Sequence, residues 1–383
     1  MTTLRDPARM LEYAFELAES GRGFVEPNPR VGAVVCENSR IVGRGYHAEY
    51  GGRHAEIVAL DEAAHAGRTP DVMVVTLEPC ASAGKTPPCV EAIIKSGIRT
   101  VYVGATDPNL ANAGRGFAKL TDHGIGVHYL KHDIRFREQN RPFTRALLRT
   151  RPWIIVKWAM TLDGRTSLAN GDSKWVTGEK SRDWVHRMRG RCEGVCVGVS
   201  TVLRDDPLLT CRNHLLLRNP PARIIFDSRL RTPPNATVIV NRDAPTWILT
   251  LPIATLPPSA AERRRSLELA GAHVIEVEGD HQFSPPRVDV NLAMELLYKL
   301  GIRRLFVESG PKLLGTLRAA KLIDQAIAMI APKLTGAPSA PQGVIGAPEA
   351  ASMSEADVLE EVYGIRIADD IVVGGFLNLQ SAP

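Results

Sequence analysis

Six residues spread over positions 54 to 89 constrain the fold of this chain more than any other feature. They stand as His54-Ala55-Glu56, Pro79-Cys80 and Cys89, the cysteines lying in 76-TLEPCASAGKTPPC-89. One imidazole and two thiolates are three ligands for Zn²⁺. A fourth tetrahedral corner is left open, which is the pattern of a catalytic zinc and not of a structural one. Water at such a corner becomes acidic near neutral pH and acts as a nucleophile. Each of the three pieces sits where a strand-like run hands over to a helix-like one. Glu56 follows His54 by two positions, and in mid-helix such a pair points to nearly opposite faces. The pair therefore belongs at a helix entrance, with Glu56 as a catalytic proton shuttle and His54, Cys80 and Cys89 as the metal ligands. Cys89 follows Pro87-Pro88 and opens a helix whose amides and dipole favour a thiolate. Cys36 reads as core. Cys192, Cys196 and Cys211 have no histidine at ligand spacing and read as structural.

The rest of the chain alternates in two series, an α/β pattern. The first has strands at 31–36, 41–46, 72–76, 100–104 and 126–130. Its helices are expected from about His54 to Ala66, Cys89 to Ser96 and Gly114 to His123. The second has strands at 153–160, 195–199, 223–227, 246–250, 273–277 and 304–308, with a helix near Val290–Leu300. Between them, 141-RPFTRALLRTRPW-153 places Arg141, Arg145 and Arg149 on one helical face, read as a solvated helix or linker. With 383 residues, more than one core normally holds, two domains are expected: 1–146 and 150–383. The Pro-, Ala- and Arg-rich stretch 251–287 reads as long surface loops. The first helix is expected from Asp6, with Met10, Ala14, Leu17 and Ala18 on one stripe. No apolar run approaches a membrane span and the N-terminus has no secretory core, so a cytoplasmic location is expected.

The His-x-Glu and Pro-Cys pieces match the zinc nucleoside and base deaminases, except that eight residues, not two, separate the cysteines. That longer loop resembles the deaminase half of the bifunctional riboflavin-biosynthesis deaminase/reductase family. The neighbouring segments Pro27-Asn28-Pro29, Gly45-Tyr46-His47, Gly84-Lys85-Thr86-Pro87-Pro88 and Asp107-Pro108-Asn109 agree with it. The resemblance implies a cytidine-deaminase-like three-layer domain whose substrate pocket is lined by Asn28, His47, Lys85, Thr86, Asp107 and Asn109. One departure stands out: Cys80-Ala81-Ser82 lacks the histidine usual in that loop.

The second half carries KWAMTLDGRT (157–166), GDSKWVT (171–177), GVSTVLRDDPLLTCR (198–212) and Glu308-Ser309-Gly310-Pro311. Two of these are strand-to-helix turns at glycine, a construction that can hold an anion. No G-x-G-x-x-G occurs, so the dinucleotide fingerprint of doubly wound folds is absent. The set resembles the reductase half of the same family, implying a dihydrofolate-reductase-like α/β domain that uses NADPH. On that resemblance Ala159, Trp175, Thr177, Thr201, Asp205, Ser228, Gly310 and Pro311 face the cofactor. Ser173, Arg189, Leu209, Arg212 and Glu308 face the substrate. Asp205-Asp206-Pro207 reads equally as a helix-ending turn, and Arg229 and Arg231 as exposed loop charges before a cofactor phosphate. A small phosphorylated pyrimidine is the implied substrate, with Zn²⁺ and NADPH as cofactors and a homo-dimer or tetramer as the assembly. The rival reading is a tRNA-type nucleic-acid deaminase with an appended binding domain. A net charge of +5 and 5% aromatic residues argue against that partner, as does the absence of any membrane signal against a lipid surface.

Overall fold

The computed structural model describes residues 6–22, 24–82, 87–212, 220–336 and 350–377. They form two compact units, Met1–Arg149 and Thr150–Pro383. In the first, helix α1 (Pro7–Glu19) precedes the hairpin β1 (Gly32–Glu37) and β2 (Arg40–Tyr46), then α2 (Ala55–His65) and β3 (Val72–Leu77). Next come α3 (Cys89–Lys95), β4 (Thr100–Ala105), α4 (Arg115–Asp122), β5 (Gly126–Tyr129), α5 (Asp133–Gln139) and α6 (Arg141–Arg149). α1 starts where expected: Asp6 caps it by accepting from Ala8 N–H at 3.0 Å, and Pro7 is pre-shaped for a first helical turn.

The five strands are ordered β2-β1-β3-β4-β5, with β1 antiparallel to both neighbours and β3, β4 and β5 parallel. Glycines let helices approach both faces. A Cβ on Gly32 would lie 1.9 Å from Ala14 O of α1. Gly45, paired with the next residue Ala33, faces the other way, and a Cβ there would lie 2.3 Å from Ala55 O of α2. Successive strand residues point to opposite faces, so α1 and α2 sandwich the sheet in three layers. The core is Leu11, Phe15, Val34, Val74, Val101 and their neighbours.

Gly45→Ala is expected to destabilise this unit by about 1–3 kcal/mol, because the clash is with backbone that has no rotamer to change. The same clash pushes on the entrance of α2. Denaturant unfolding and zinc stoichiometry of the variant check both effects; unchanged stability would show that α2 can shift freely.

The second unit runs β6 (Trp153–Thr161), α7 (Glu179–Arg189), β7 (Gly194–Gly198), α8 (Val199–Asp205), β8 (Ala222–Phe226), α9 (Thr237–Val240) and β9 (Thr246–Thr250). α10 (Ser259–Leu269), β10 (His273–Glu276), β11 (Gly279–Asp280), β12 (Arg287–Val288) and α11 (Val290–Lys299) follow. β13 (Arg304–Val307), α12 (Pro311–Ala319), β14 (Gln325–Ala331), β15 (Glu360–Ile367) and β16 (Asp370–Phe376) complete it. Nine strands share one sheet in the order β10-β9-β8-β7-β13-β6-β14-β16-β15. β10 through β14 pair in parallel, and β16 and β15 add an antiparallel edge. The inner parallel strands β7, β8 and β13 and the first half of β6 are buried on both faces. Along β6, Ile154 and Val156 enter one core, while Trp153 and Ile155 enter another. That is why the sequence shows unbroken apolar runs here and not alternation.

Three expectations differ from the structure. The stretch 251–287 is not mainly loop: besides the strand expected at 273–277, which is β10, it holds the 11-residue helix α10. β14, β15 and β16 extend the second strand series beyond 308. Arg145 is not solvated but only 9% exposed, so the arginine spacing of α6 does not mark a free face. Among the described residues, no helix is long and apolar enough to cross a membrane.

Candidate functional site

The end of β3 and the entrances of α2 and α3 meet at His54, Cys80 and Cys89. His54 is the N-cap of α2, so Glu56 falls in its first turn. Cys89 is the first residue of α3, behind Pro88. His54 Nδ1 lies 3.1 Å from Cys89 Sγ and 3.6 Å from Cys80 Sγ, and all three ligand atoms lie within 4.8 Å of one another. Ligands around a tetrahedral zinc, at 2.0–2.3 Å from the ion, are separated by about 3.5–3.8 Å. The donor set and its spacing therefore fit zinc.

The electrostatics agree. The two thiols share a proton: the Cys89 thiol hydrogen bond holds Cys80 down against the cost of burial, with help from His54 and from the Cys89 N–H, which donates at 3.3 Å, while the same bond and burial push Cys89 up. Glu56 is 3% exposed. Burial pushes its carboxyl up, opposed by His54, and it is hydrogen-bonded to the Cys89 thiol. A carboxyl inclined to hold a proton, beside a metal-ligand cluster, has the character of a proton carrier.

Around this cluster, His47 and Asn28 form a pair. His47 Nδ1–H donates to Arg53 O at 3.0 Å, which leaves Nε2 to accept from Asn28 Nδ2 at 3.1 Å. Burial pushes the His47 pKa down, in keeping with a neutral ring. Its ring stands edge-on to that of His54, with centroids 5.3 Å apart. Asp107 and Asn109 shape a turn: Asp107 accepts from Asn109 N–H at 2.8 Å and from Asn112 at 3.2 Å. Lys85 and Thr86 lie outside the described residues. Sequence reading did not find Glu78. Its buried carboxylate accepts from the backbone N–H groups of Asp107, Gly114 and Gly116 at 3.2, 3.0 and 2.8 Å. It thereby ties the Asp107 turn and the start of α4 to the strand that delivers Cys80. Its signal was an acidic residue directly before Pro79-Cys80 at the end of an apolar strand.

In the second unit a cavity of about 1130 Å³ opens at the C-terminal ends of β6, β13, β7 and β8. It is lined by every position assigned there from sequence: Ala159, Trp175, Thr177, Thr201, Asp205, Ser228, Gly310 and Pro311, together with Ser173, Arg189, Leu209, Arg212 and Glu308. Asp206 ends α8 in a left-handed conformation, while Asp205 lines the cavity. Ser309 joins the two glycine turns, its hydroxyl accepting from Gly198 N–H at 2.9 Å.

Glu308 is the centre of a partly buried ionic group. Its carboxylate accepts from Arg189 Nε at 2.5 Å and from Lys157 Nζ at 3.5 Å. Burial alone would push Glu308 up; the facing Arg189 and Lys157 charges offset it and hold the carboxyl below its ordinary value. Lys157 was missed in the sequence because a lone lysine in WIIVKWAM looks like an outward strand position. The cavity wall at 162–178 is fastened from the strands beyond it. Asp163 accepts from Thr335 N–H and hydroxyl at 3.1 and 3.0 Å, Lys333 donates to Trp175 O at 2.6 Å, and Asp370 accepts from Gly178 N–H at 2.8 Å.

Residues 5–105 match the cytidine and deoxycytidylate deaminase zinc-binding region, and residues 152–356 match the RibD C-terminal domain. The riboflavin biosynthesis protein RibD of Aquifex aeolicus is 37% identical over 326 residues, covering 85% of this chain and 87% of that protein. The chain belongs to the RibD family. Its Escherichia coli member is 34% identical over 335 residues, with 84% and 87% covered. The solved Acinetobacter baumannii RibD superimposes with a TM-score of 0.82 at 30% identity, covering 97% of this chain and 99% of that one. The Thermotoga maritima diaminohydroxyphosphoribosylaminopyrimidine deaminase/5-amino-6-(5-phosphoribosylamino)uracil reductase gives 0.75 at 30% identity, with 97% and 98% covered. Like the family, this chain is an enzyme that joins a zinc-binding deaminase region to a reductase of the RibD type, which uses NADPH.

Proposed function

We propose that the chain carries out two steps of riboflavin biosynthesis, one in each unit. The first is hydrolytic deamination of 2,5-diamino-6-ribosylamino-4(3H)-pyrimidinone 5′-phosphate. The second is reduction of the ribosyl group to a ribityl chain. The observation that carries this reading is the pairing, in one chain, of an open three-ligand cluster flanked by Glu56 with a cavity centred on Glu308.

Zinc held by His54, Cys80 and Cys89 supplies Lewis acidity that makes water a nucleophile near neutral pH. Glu56 takes the proton that water loses on attacking the ring carbon. It then returns it to the departing amine, so that ammonia leaves and a carbonyl remains. Asn28 and His47 line the pocket beside the cluster. In the second unit NADPH supplies the hydride that goes to C1′. Opening the ribose then requires a proton at the ring oxygen, which in this reading comes from the Lys157 ammonium that faces Glu308. Arg189 and Arg212 are the cations for the ribose phosphate. The same reading makes the enzyme cytoplasmic and homo-oligomeric, which size-exclusion chromatography with light scattering checks for the assembly.

The test follows the two products separately. With the diamino substrate, one equivalent of ammonia should appear without NADPH, and the reduced-nicotinamide absorbance should fall only once NADPH is added. Cys80→Ser should lose bound zinc and ammonia release to background while still oxidising NADPH on substrate already deaminated. Loss of both activities together would overturn the assignment of the steps to separate units.

A further inference from the structure

Helix α7 carries His186 and Arg189 three residues apart, which makes them neighbours on one helical face. Both line the cavity of the second unit. His186 Nδ1 lies 3.1 Å from Thr210 O. A carbonyl only accepts, so Nδ1 carries the hydrogen and donates. The same Thr210 O accepts from Arg189 Nη1 at 3.0 Å, and the Cys211 thiol donates to His186 O at 3.1 Å. The segment that carries Leu209 and Arg212 is thereby clamped to α7. The imidazole cannot turn over without giving up its bond to Thr210.

With Nδ1 occupied, Nε2 is the remaining polar atom of the ring. Among the described residues it has no hydrogen-bond partner, and it is not a buried orphan, so solvent in the cavity reaches it. The charges that act on the ring belong to the cavity. Burial pushes the His186 pKa down and the Arg189 and Arg212 charges add to this, against the Thr210 bond and the Glu308 charge. The ring is therefore neutral at neutral pH, and Nε2 offers a lone pair.

An acceptor set among cations has a narrow choice of partner. A phosphate ester presents oxygens that accept, and Arg189 and Arg212 supply the charge-assisted donors for them. A lone pair pointed at the same oxygens would repel them. On a ribosyl 5′-phosphate the donors nearest the phosphate are the ribose hydroxyls. Residues three apart on a helix have Cβ atoms about 5–6 Å apart, a spacing that suits a sugar ring beside its own phosphate. The amino groups of a pyrimidine lie beyond C1′, on the far side of the sugar.

We propose that His186 is a specificity residue of the reductase site, its Nε2 accepting from a ribose hydroxyl of the substrate while Arg189 and Arg212 take the phosphate. This rests on the assignment of the cavity's substrate side to a ribose phosphate. The site then reads the sugar as well as the charge, and one carbonyl, Thr210 O, sets the direction of both the imidazole and the Arg189 fork.

Competition against the deaminated substrate in the NADPH-oxidation assay tests this on the full chain, with ribose 5-phosphate and inorganic phosphate as the inhibitors. His186→Asn and His186→Gln divide the ring between them. Asparagine keeps an amide N–H near Nδ1 for Thr210 O and drops the acceptor. Glutamine carries an amide oxygen out to the place of Nε2 and drops the bond to Thr210. His186→Asn should weaken ribose 5-phosphate, and raise KM for the deaminated substrate, by about three- to tenfold, the effect of one hydrogen bond. Inhibition by phosphate should not change. His186→Gln should keep the wild-type ratio of the two inhibition constants. Thermal midpoints and ammonia release by the first unit check that the variants are folded. A His186→Asn variant with wild-type inhibition by ribose 5-phosphate would overturn the acceptor role. Equal weakening of both inhibitors would overturn it too, leaving His186 only a clamp on the Arg212 segment. A wild-type chain inhibited by neither compound would overturn the assignment of the cavity to a ribose phosphate, and the acceptor role with it.

Discussion

Glu56→Gln is expected to slow ammonia release by about 10²- to 10⁴-fold, the range general acid–base catalysis contributes. Zinc content should not change. Glutamine has the size of glutamate, and the three side chains placed to hold a metal are His54, Cys80 and Cys89, which the substitution leaves intact. What it removes is the capacity to take a proton from water and hand it on. The position favours a large effect, because Glu56 is 3% exposed in the first turn of α2. Bulk water has little access to replace it. NADPH oxidation with substrate already deaminated should continue at the wild-type rate. Metal analysis and the two product assays on one preparation separate the outcomes. A variant with full zinc and near-normal ammonia release would show that Glu56 carries no proton.

The zinc cluster was legible in the sequence because metal chemistry tolerates few residue types. Histidine and thiolate ligands at strand-to-helix junctions leave little else for His54, Cys80 and Cys89 to do. The parallel strands were legible for a related reason: burial on both faces writes an unbroken apolar run, as in 153–156. β15 shows the opposite case. As the outermost strand it exposes Val362 and Ile365 to solvent, so its pattern carries neither a run nor a clean alternation. Charges misled where their partners are distant in sequence. Lys157 and Glu308 are 151 residues apart, and Glu78 binds N–H groups 29 to 38 residues onward. Arg145 had a helical spacing that fits a solvated face equally well, yet it is buried. Nothing local distinguishes such residues from surface charges, because what holds them is tertiary. The same applies to Arg287, in a segment that reads as loop; the bond from Val288 to Ser228 and the packing of Val288 with Phe226 bring it to the cavity.

Glu308→Gln should slow the reductase step by about 10²-fold or more while ammonia release stays at the wild-type rate. The partly buried carboxylate faces two cations, Arg189 and Lys157. Glutamine keeps the shape and one acceptor but not the charge, so two cations are left facing each other without compensation, a situation that is costly in a desolvated site. Arg189 loses the contact that orients it, although its bond to Thr210 O at 3.0 Å remains. Lys157 loses the carboxylate that faces it at 3.5 Å. The pH dependence has a definite sign. The carboxyl is held below its ordinary value of 4.5 by the two cations. The stabilisation from the group is thus fully present above that value and lost only as the pH falls through the lower folded-state value. Acid unfolding followed through the second unit should lose this contribution in Glu308→Gln, so the variant and wild type should converge in stability at the acid end. Steady-state rates at both sites, with unfolding curves from neutral to acidic pH, check the prediction. A reductase rate unchanged in Glu308→Gln would remove the Glu308 carboxylate from the chemistry and leave it a purely structural tie between β13, β6 and α7.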